Sequence, residues 1–194
     1  MPLLKGSIVP PRLPDPRSGL VLDTHELSRR AGTLKEVTRV AEAPADLGIE
    51  VIGVPPGSPV DLSLRLESVV EGVLVTGTAK VRLSGNCARC LDEISRTEEV
   101  DLQELFCYPG KELDDAEALR IEGELIDLEP VLRDAVVLDL PFTPLCRPDC
   151  AGLCPDCGAN LNRDPDHGHA EPTDPRWAGL EGWTEPTNEP NNKE

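Results

Sequence analysis

Apolar and polar residues alternate along the middle of the chain. Every second residue is apolar from Val60 to Leu66, and the pattern resumes from Val73 to Leu83 after a break at Gly72. A weaker alternation runs through Ile94, Val100 and Leu102. A period of two places one face of a strand in a core and the other in water. Three successive strands with short links predict an antiparallel meander.

One amphipathic helix is predicted after these strands. It begins near Asp127, whose carboxylate can accept the free amides of the first turn, and Pro130 is tolerated there because first-turn amides lack intrahelical acceptors. Pro141 ends it. We expect its apolar stripe to pack on the sheet. The stripe consists of Leu128, Val131, Leu132, Ala135 and Val136.

The fold class predicted from these elements is α+β, an antiparallel meander packed with one main helix. A C-terminal cysteine-rich metal-binding knot and irregular termini complete it. Residues 1–20 are rich in proline and are expected to be irregular. Residues 21–160 are expected to form a single domain that includes the knot, and residues 161–194 a mostly disordered acidic tail.

Two weaker expectations concern the chain before the meander. Asp23 or Thr24 can cap a short helix that runs through Arg30 and ends at Gly32. Residues 33–58 show a mixed pattern with no clear strand, apart from a turn at Pro55-Pro56-Gly57.

The acidic charge of the chain indicates which class of macromolecule it could bind. The chain carries a net charge of −17, and residues 92–129 alone hold fourteen acidic residues against three basic ones. Such a surface repels a phosphate backbone, so direct nucleic-acid binding through this segment is disfavoured and contact elsewhere stays open. A basic protein partner fits better. The alternative is a solvated acidic loop that only aids solubility.

The start of the chain shows no secretory or membrane-spanning pattern, because prolines interrupt residues 1–17 and no apolar run reaches about twenty residues. A cytoplasmic location is expected. Seven cysteines in a reducing compartment indicate metal or redox chemistry before disulfides.

Six of the cysteines fall into spaced groups, and Cys107 stands alone between aromatic residues as a predicted buried thiol. The strongest signal is Cys154-Pro155-Asp156-Cys157-Gly158, because two thiolates two residues apart can chelate one ion from a tight turn. Cys146 and Cys150 could complete a local site of four cysteines for Zn²⁺.

A second arrangement stays open. Cys87 and Cys90, a C-x-x-C between two strands, could pair with Cys154 and Cys157 as the two knuckles of a zinc ribbon. Two other pairs of candidate ligands would then remain, and they could bind a second ion together because imidazole also binds Zn²⁺. These pairs are Cys146 with Cys150, and His167 with His169.

Other chemistries compete for these thiols. A C-x-x-C can serve thiol–disulfide exchange, but the strand context of Cys87 argues against it. The run from Cys150 to Cys157 has a spacing that can hold an iron–sulfur cluster, and the thiols could also be free. No phosphate-binding loop, dinucleotide fingerprint or nucleophile elbow is present, so the sequence predicts no enzyme.

The combination of these motifs resembles the bacterial YceD family, the large ribosomal RNA subunit accumulation proteins. The resemblance covers roughly residues 20–180. It is carried by Cys87-Ala88-Arg89-Cys90-Leu91, Leu140-Pro141-Phe142-Thr143-Pro144-Leu145-Cys146, the run from Cys150-Ala151-Gly152-Leu153-Cys154 to Asn160-Leu161-Asn162, and Asp174-Pro175-Arg176.

The resemblance implies a non-enzymatic role in accumulation of large-subunit ribosomal RNA. The partner would be the large ribosomal subunit precursor or a basic ribosomal protein. Many members carry Cys-x-Cys where this chain has His167-Gly168-His169. Because both residue types bind Zn²⁺, the replacement favours ligation there and leaves open which groups share an ion.

Overall fold

The computed structural model describes residues 14–27, 30–111 and 118–169, together with Arg176 and Gly179. The described residues contain eight strands and one α-helix. These are β1 (Val21–Asp23), β2 (Leu34–Glu42), β3 (Leu47–Ile49), β4 (Ile52–Val54), β5 (Pro59–Ser68), β6 (Gly72–Asn86), β7 (Glu93–Cys107), β8 (Leu125–Asp127) and α1 (Glu129–Asp139).

The main sheet is built on β6, the central long strand, and every pairing in it is antiparallel. Strand β7 pairs with β6 from end to end, so β5 and β4 share the other edge of β6 at successive positions. Strand β2 lies outside β5, and β3 lies outside β4. The three strands predicted from the alternation are β5, β6 and β7, and their meander is confirmed.

The core follows the predicted alternation. On β5, Val60, Leu62, Leu64 and Leu66 are at most 4% exposed, while Asp61, Ser63 and Arg65 between them face outward. Helix α1 packs against β7 and β3 and buries Leu132 fully. Burial of these side chains holds the helix on the sheet, because each buried aliphatic side chain contributes about 1.5–3 kcal/mol.

The start of α1 matches the prediction in its chemistry. The Asp127 carboxylate accepts the backbone N–H of Glu129 at 2.9 Å, and Pro130 lies in the first turn. The last residue before the helix is Leu128, one position later than expected. Pro141 follows directly on Leu140, where the backbone is already extended.

The predicted short helix near Thr24 is largely replaced by strand pairing. Strand β1 pairs with β8, and the described residues that follow it form a single 3₁₀ turn at His25–Leu27; residues 28 and 29 lie outside the described part of the chain. Both the N–H and the hydroxyl of Thr24 donate to the carbonyl of Glu124 at 2.8 Å. Thr24 therefore joins two distant segments and does not cap a helix.

Strand β2 was not predicted, and its exposure explains why. Leu34 and Val40 are 51% and 64% exposed, so apolar residues fall on the solvent side of this outermost strand. The strand therefore lacks the alternation of buried apolar and exposed polar residues that marked β5 and β6.

The predicted domain bounds, residues 21–160, stay a prediction. Leu20 is already buried in the core, and the described chain continues through His169. Residues 1–13 and most of the predicted tail lie outside the described residues. Within the described part of the chain, no helix has the length and apolar character needed to cross a membrane.

Two leucines of α1 give a matched test of this packing. We expect Leu132→Ala to lower the free energy of unfolding by about 2–5 kcal/mol, because it leaves a cavity in the core. Leu138 is 85% exposed on the same helix, so Leu138→Ala should change it by less than about 0.5 kcal/mol. Urea denaturation measures both; equal losses would contradict the described packing.

Candidate metal centre

The first pair of thiols lies in the turn between β6 and β7. The N–H of Cys87 donates to the carbonyl of Asp92 at 2.8 Å, and the N–H of Leu91 donates back to the carbonyl of Cys87 at 3.0 Å. Leu91 has a φ of 60°, an uncommon conformation for a leucine. The tight turn directs the thiols of Cys87 and Cys90 toward the segment that follows α1.

That segment supplies the opposing thiols. Cys90 Sγ lies 3.6 Å from Cys146 Sγ, and Cys87 Sγ lies 3.8 Å from Cys150 Sγ. The N–H of Ala88 donates to the carbonyl of Pro144 at 2.8 Å and fixes the two segments side by side. Four sulfurs around a tetrahedral Zn²⁺ would be separated by roughly 3.8 Å, since each bond is about 2.3 Å. The four-cysteine group therefore fits such an ion.

A second group lies further along the chain and combines two thiols with two imidazoles. Cys154 Sγ lies 3.2 Å from His169 Nε2, and Cys157 Sγ lies 3.1 Å from His167 Nε2. All four ligand atoms lie within 4.8 Å of one another. Gly158 has a φ of +75° and donates its N–H to the carbonyl of Cys154 at 2.8 Å, which closes the turn.

The eight residues singled out from the sequence are thus brought together, but in neither arrangement expected from their spacing. Cys146 and Cys150 face Cys87 and Cys90 across the fold, and the pair Cys154 and Cys157 faces the histidines. The structure does not group Cys146 and Cys150 with Cys154 and Cys157, as the expected local tetrad required. The ribbon arrangement is wrong because Pro144 anchors the earlier pair to the β6–β7 turn. Ligation itself stays a prediction.

The thiols of the first group are unequal, which is expected when like charges meet. Burial raises the pKa of Cys87, but backbone amides of Cys90, Cys146 and Arg89 outweigh it and lower the pKa to about 6. The amide of Asp92 lowers the pKa of Cys90, but burial and the neighbouring thiols raise it to about 12. A few thiols thus hold the negative charge, and a bound dication would allow the others to ionise.

Asn162 contacts the first group through its side chain. Its amide donates to Cys150 Sγ at 3.3 Å, and this bond is the main cause that lowers the pKa of Cys150. Its side-chain oxygen accepts the N–H of Ala151 at 2.8 Å and a guanidinium bond from Arg147 at 2.7 Å. Such outer contacts orient metal ligands.

Asp92 joins the chain around the second group to the sheet. Its carboxylate accepts the side-chain amide of Asn160 at 3.1 Å and the guanidinium of Arg163 at 2.8 Å. Asp92 follows the first C-x-x-C, and Asn160 and Arg163 follow the second. No role for Asp92 or Arg163 was predicted from the sequence, and Asn160 was noted only within the motif that carries the family resemblance; the position of all three after a cysteine pair was the available signal.

The two groups differ in exposure. Cys87, Cys90 and Cys150 are buried, whereas Cys157 and His169 are exposed. Each group offers four ligand atoms, so an ion in either would have no open position for a substrate. The lone Cys107 is buried, as predicted, and belongs to neither group.

Fold and site together define a class: a small antiparallel-sheet protein whose C-terminal segment could be fastened to the sheet by metal. The family described as large ribosomal RNA subunit accumulation protein YceD matches residues 75–182. The chain belongs to the YceD family. The matched residues include all eight candidate ligands.

Similar proteins occur in mycobacteria and plants. The chain is 47% identical over 167 residues to an uncharacterized protein of Mycobacterium tuberculosis, covering 84% of this chain and 80% of that protein. It is 39% identical to an uncharacterized protein of Mycobacterium leprae, covering 84% and 76%. It is 28% identical to the chloroplastic large ribosomal RNA subunit accumulation protein YCED homolog 1 of Zea mays, covering 61% and 53%. No solved structure gives a significant match.

Asn162 gives a test of the first group. We expect Asn162→Ala to weaken zinc binding there by about 10–100-fold, because Cys150 loses its side-chain donor. Competition against a chromogenic chelator measures the affinity. Asn86→Ala is the matched control, because Asn86 precedes Cys87 but is exposed, and it should leave the affinity unchanged. Equal losses in both variants would contradict the role of Asn162.

Proposed function

We propose that this protein is a non-enzymatic factor that supports accumulation of large-subunit ribosomal RNA and ribosome assembly, with two structural zinc sites. The observation that carries the zinc sites is the meeting of all eight candidate ligands in two groups of four. The assembly role is supported by family membership, since the family is named for large-subunit ribosomal RNA accumulation.

The zinc ions would act on the shape of the protein and not on a substrate. In the first group an ion would fasten the segment after α1 to the β6–β7 turn, across 63 positions between Cys87 and Cys150. In the second group it would close the chain between Cys154 and His169. Zinc with four protein ligands is structural, because no coordination position is left for a reacting group.

The proposed partner is the large-subunit precursor or one of its basic proteins, in the cytoplasm. The net charge of −17 supports a basic protein partner, since opposite charge speeds encounter and like charge rejects bare phosphate backbones.

A thiol redox protein is the alternative, and the lowered pKa of Cys87 is the observation that favours it. A thiolate at neutral pH is the form that attacks disulfides. The same thiolate is also the form that binds zinc, so metal content separates the two functions.

We expect the purified chain to contain two zinc ions, measured by elemental mass spectrometry. Cys146→Ser and Cys157→Ser should each leave one ion, because each changes an exposed cysteine of a different group, and the double variant should retain none. Cys107→Ala is the control and should retain two. Metal-free protein with fast-alkylating thiols would favour the redox alternative, and a coloured iron-containing protein would overturn zinc.

We expect cells that lack the gene to accumulate less large-subunit ribosomal RNA. Ribosome sedimentation should then show a smaller large-subunit peak relative to the small-subunit peak. The intact chain should restore the profile, and the Cys146→Ser/Cys157→Ser double variant should not. An unchanged profile in the deletion strain would overturn the assembly role.

A further inference from the structure

The outer edge of β7 is the longest open strand edge in the described part of the chain. Strand β7 spans fifteen residues, and β6 pairs with it one to one without a bulge. On its other side, the described residues pair with it only at Cys107. The N–H of Cys107 donates to the carbonyl of Leu119 at 2.9 Å, and its carbonyl accepts the N–H of Ile121 at 3.0 Å.

These two bonds fix which backbone groups of β7 point outward. In an antiparallel pair, successive residues direct both backbone groups alternately toward and away from the partner strand. The backbone N–H and carbonyl of Cys107 point away from β6. Because the register is unbroken, the backbone groups of every second residue before it do the same, namely those of Leu105, Gln103, Asp101 and Glu99. The N–H of Leu105 is bonded to the carboxylate of Glu104 at 3.1 Å, as this direction requires.

A groove of about 440 Å³ runs beside this edge, between β7 and α1. Three carboxylates line it, those of Asp101, Glu104 and Asp134, and apolar side chains such as Leu119 and Val131 form part of its wall. Its described lining contains no lysine or arginine. An exposed strand edge normally recruits another strand, and charged side chains beside it decide which strand is accepted.

Two basic residues of β6 and β7 form ion pairs with carboxylates of β7. Lys80 on β6 lies 3.4 Å from Glu99, and Arg96 lies 2.8 Å from Glu98. These pairs lie farther from Cys107 along β7 than Asp101 does. Asp101 and Gln103, whose backbone groups point outward, also line the acidic groove.

We propose that the edge of β7 is a docking surface for an extended, basic polypeptide segment, which adds a strand beside Glu99–Gln103. Lysine or arginine stems would lie against the apolar wall while their charged ends reach Asp101 and Asp134. Charge selects this occupant, because the described lining of the groove carries three carboxylates and no lysine or arginine.

This surface rests on the proposed function, because it names the contact that a basic ribosomal protein would make. RNA is disfavoured as the occupant, since its phosphates would meet the three carboxylates. A strand edge also demands a partner with backbone N–H and C=O groups, which RNA does not offer.

The test uses the full, zinc-loaded chain and a fluorescent twelve-residue peptide of alternating lysine and valine, followed by anisotropy. The double variant Asp101→Lys/Asp134→Lys should weaken binding by roughly tenfold or more, because two attractions become repulsions. The control is Glu36→Lys/Glu42→Lys, which makes the same charge change on the opposite edge strand, β2. It should alter binding by less than about twofold at physiological salt.

Two further measurements separate strand addition from attraction by charge. Gln103→Pro removes one outward N–H while sparing the β6 pairing, so it should weaken binding severalfold. A peptide N-methylated at alternate residues keeps its charge and should also bind more weakly. Equal weakening by both double variants, or no effect of Gln103→Pro and N-methylation, would overturn the proposal, as would tighter binding of polyuridylate RNA than of the peptide.

Complementation of the deletion strain distinguishes this proposal from the assembly role. If the gene deletion alters the ribosome profile but the Asp101→Lys/Asp134→Lys variant restores it fully, the docking surface is wrong and the assembly role stands. If that variant fails and the Glu36→Lys/Glu42→Lys control restores the profile, the β7 edge is supported.

Discussion

The meeting of four sulfurs between the β6–β7 turn and the segment after α1 is the contact on which this end of the molecule depends. The two Sγ separations, 3.6 and 3.8 Å, fit a single tetrahedral ion. Asp92 extends the same turn to Asn160 and Arg163, so the second group is attached to the sheet through the first. From Pro155 to His169 the described residues are half-buried or exposed, so polar contacts hold this stretch to the sheet.

The sequence predicted those strands and that helix in which one face is buried and the other is exposed to solvent. Strands β5 and β6 and helix α1 followed from periodicity alone, because their inner residues are almost fully buried. Strand β2 escaped because Leu34 and Val40 are exposed, which removes the alternation. Strand β1 is three residues long and depends on its pairing with β8, about 100 residues away.

The candidate ligands were all predictable, but their partners were not. A C-x-x-C predicts a chelating pair by its local turn, and the structure places the two thiols of each pair close together. Which pair faces which depends on contacts between distant segments, such as Ala88 with Pro144. Spacing along the chain carries no information about such contacts. Asn162 was equally hidden, since an amide that touches Cys150 cannot be distinguished from a turn residue by its type.

The two groups close loops of very different size, and this affects the unfolded chain. The sulfur contacts of the first group join residues 56 and 63 positions apart, whereas the contacts of the second span 10 and 15 positions. Loop-closure entropy rises by about 0.6 kcal/mol per doubling of length, so an ion that stayed bound to the first group would restrict the unfolded chain by roughly 1 kcal/mol more than one bound to the second. During synthesis, Cys87 and Cys90 emerge well before their partners, while the second group is made as one short stretch.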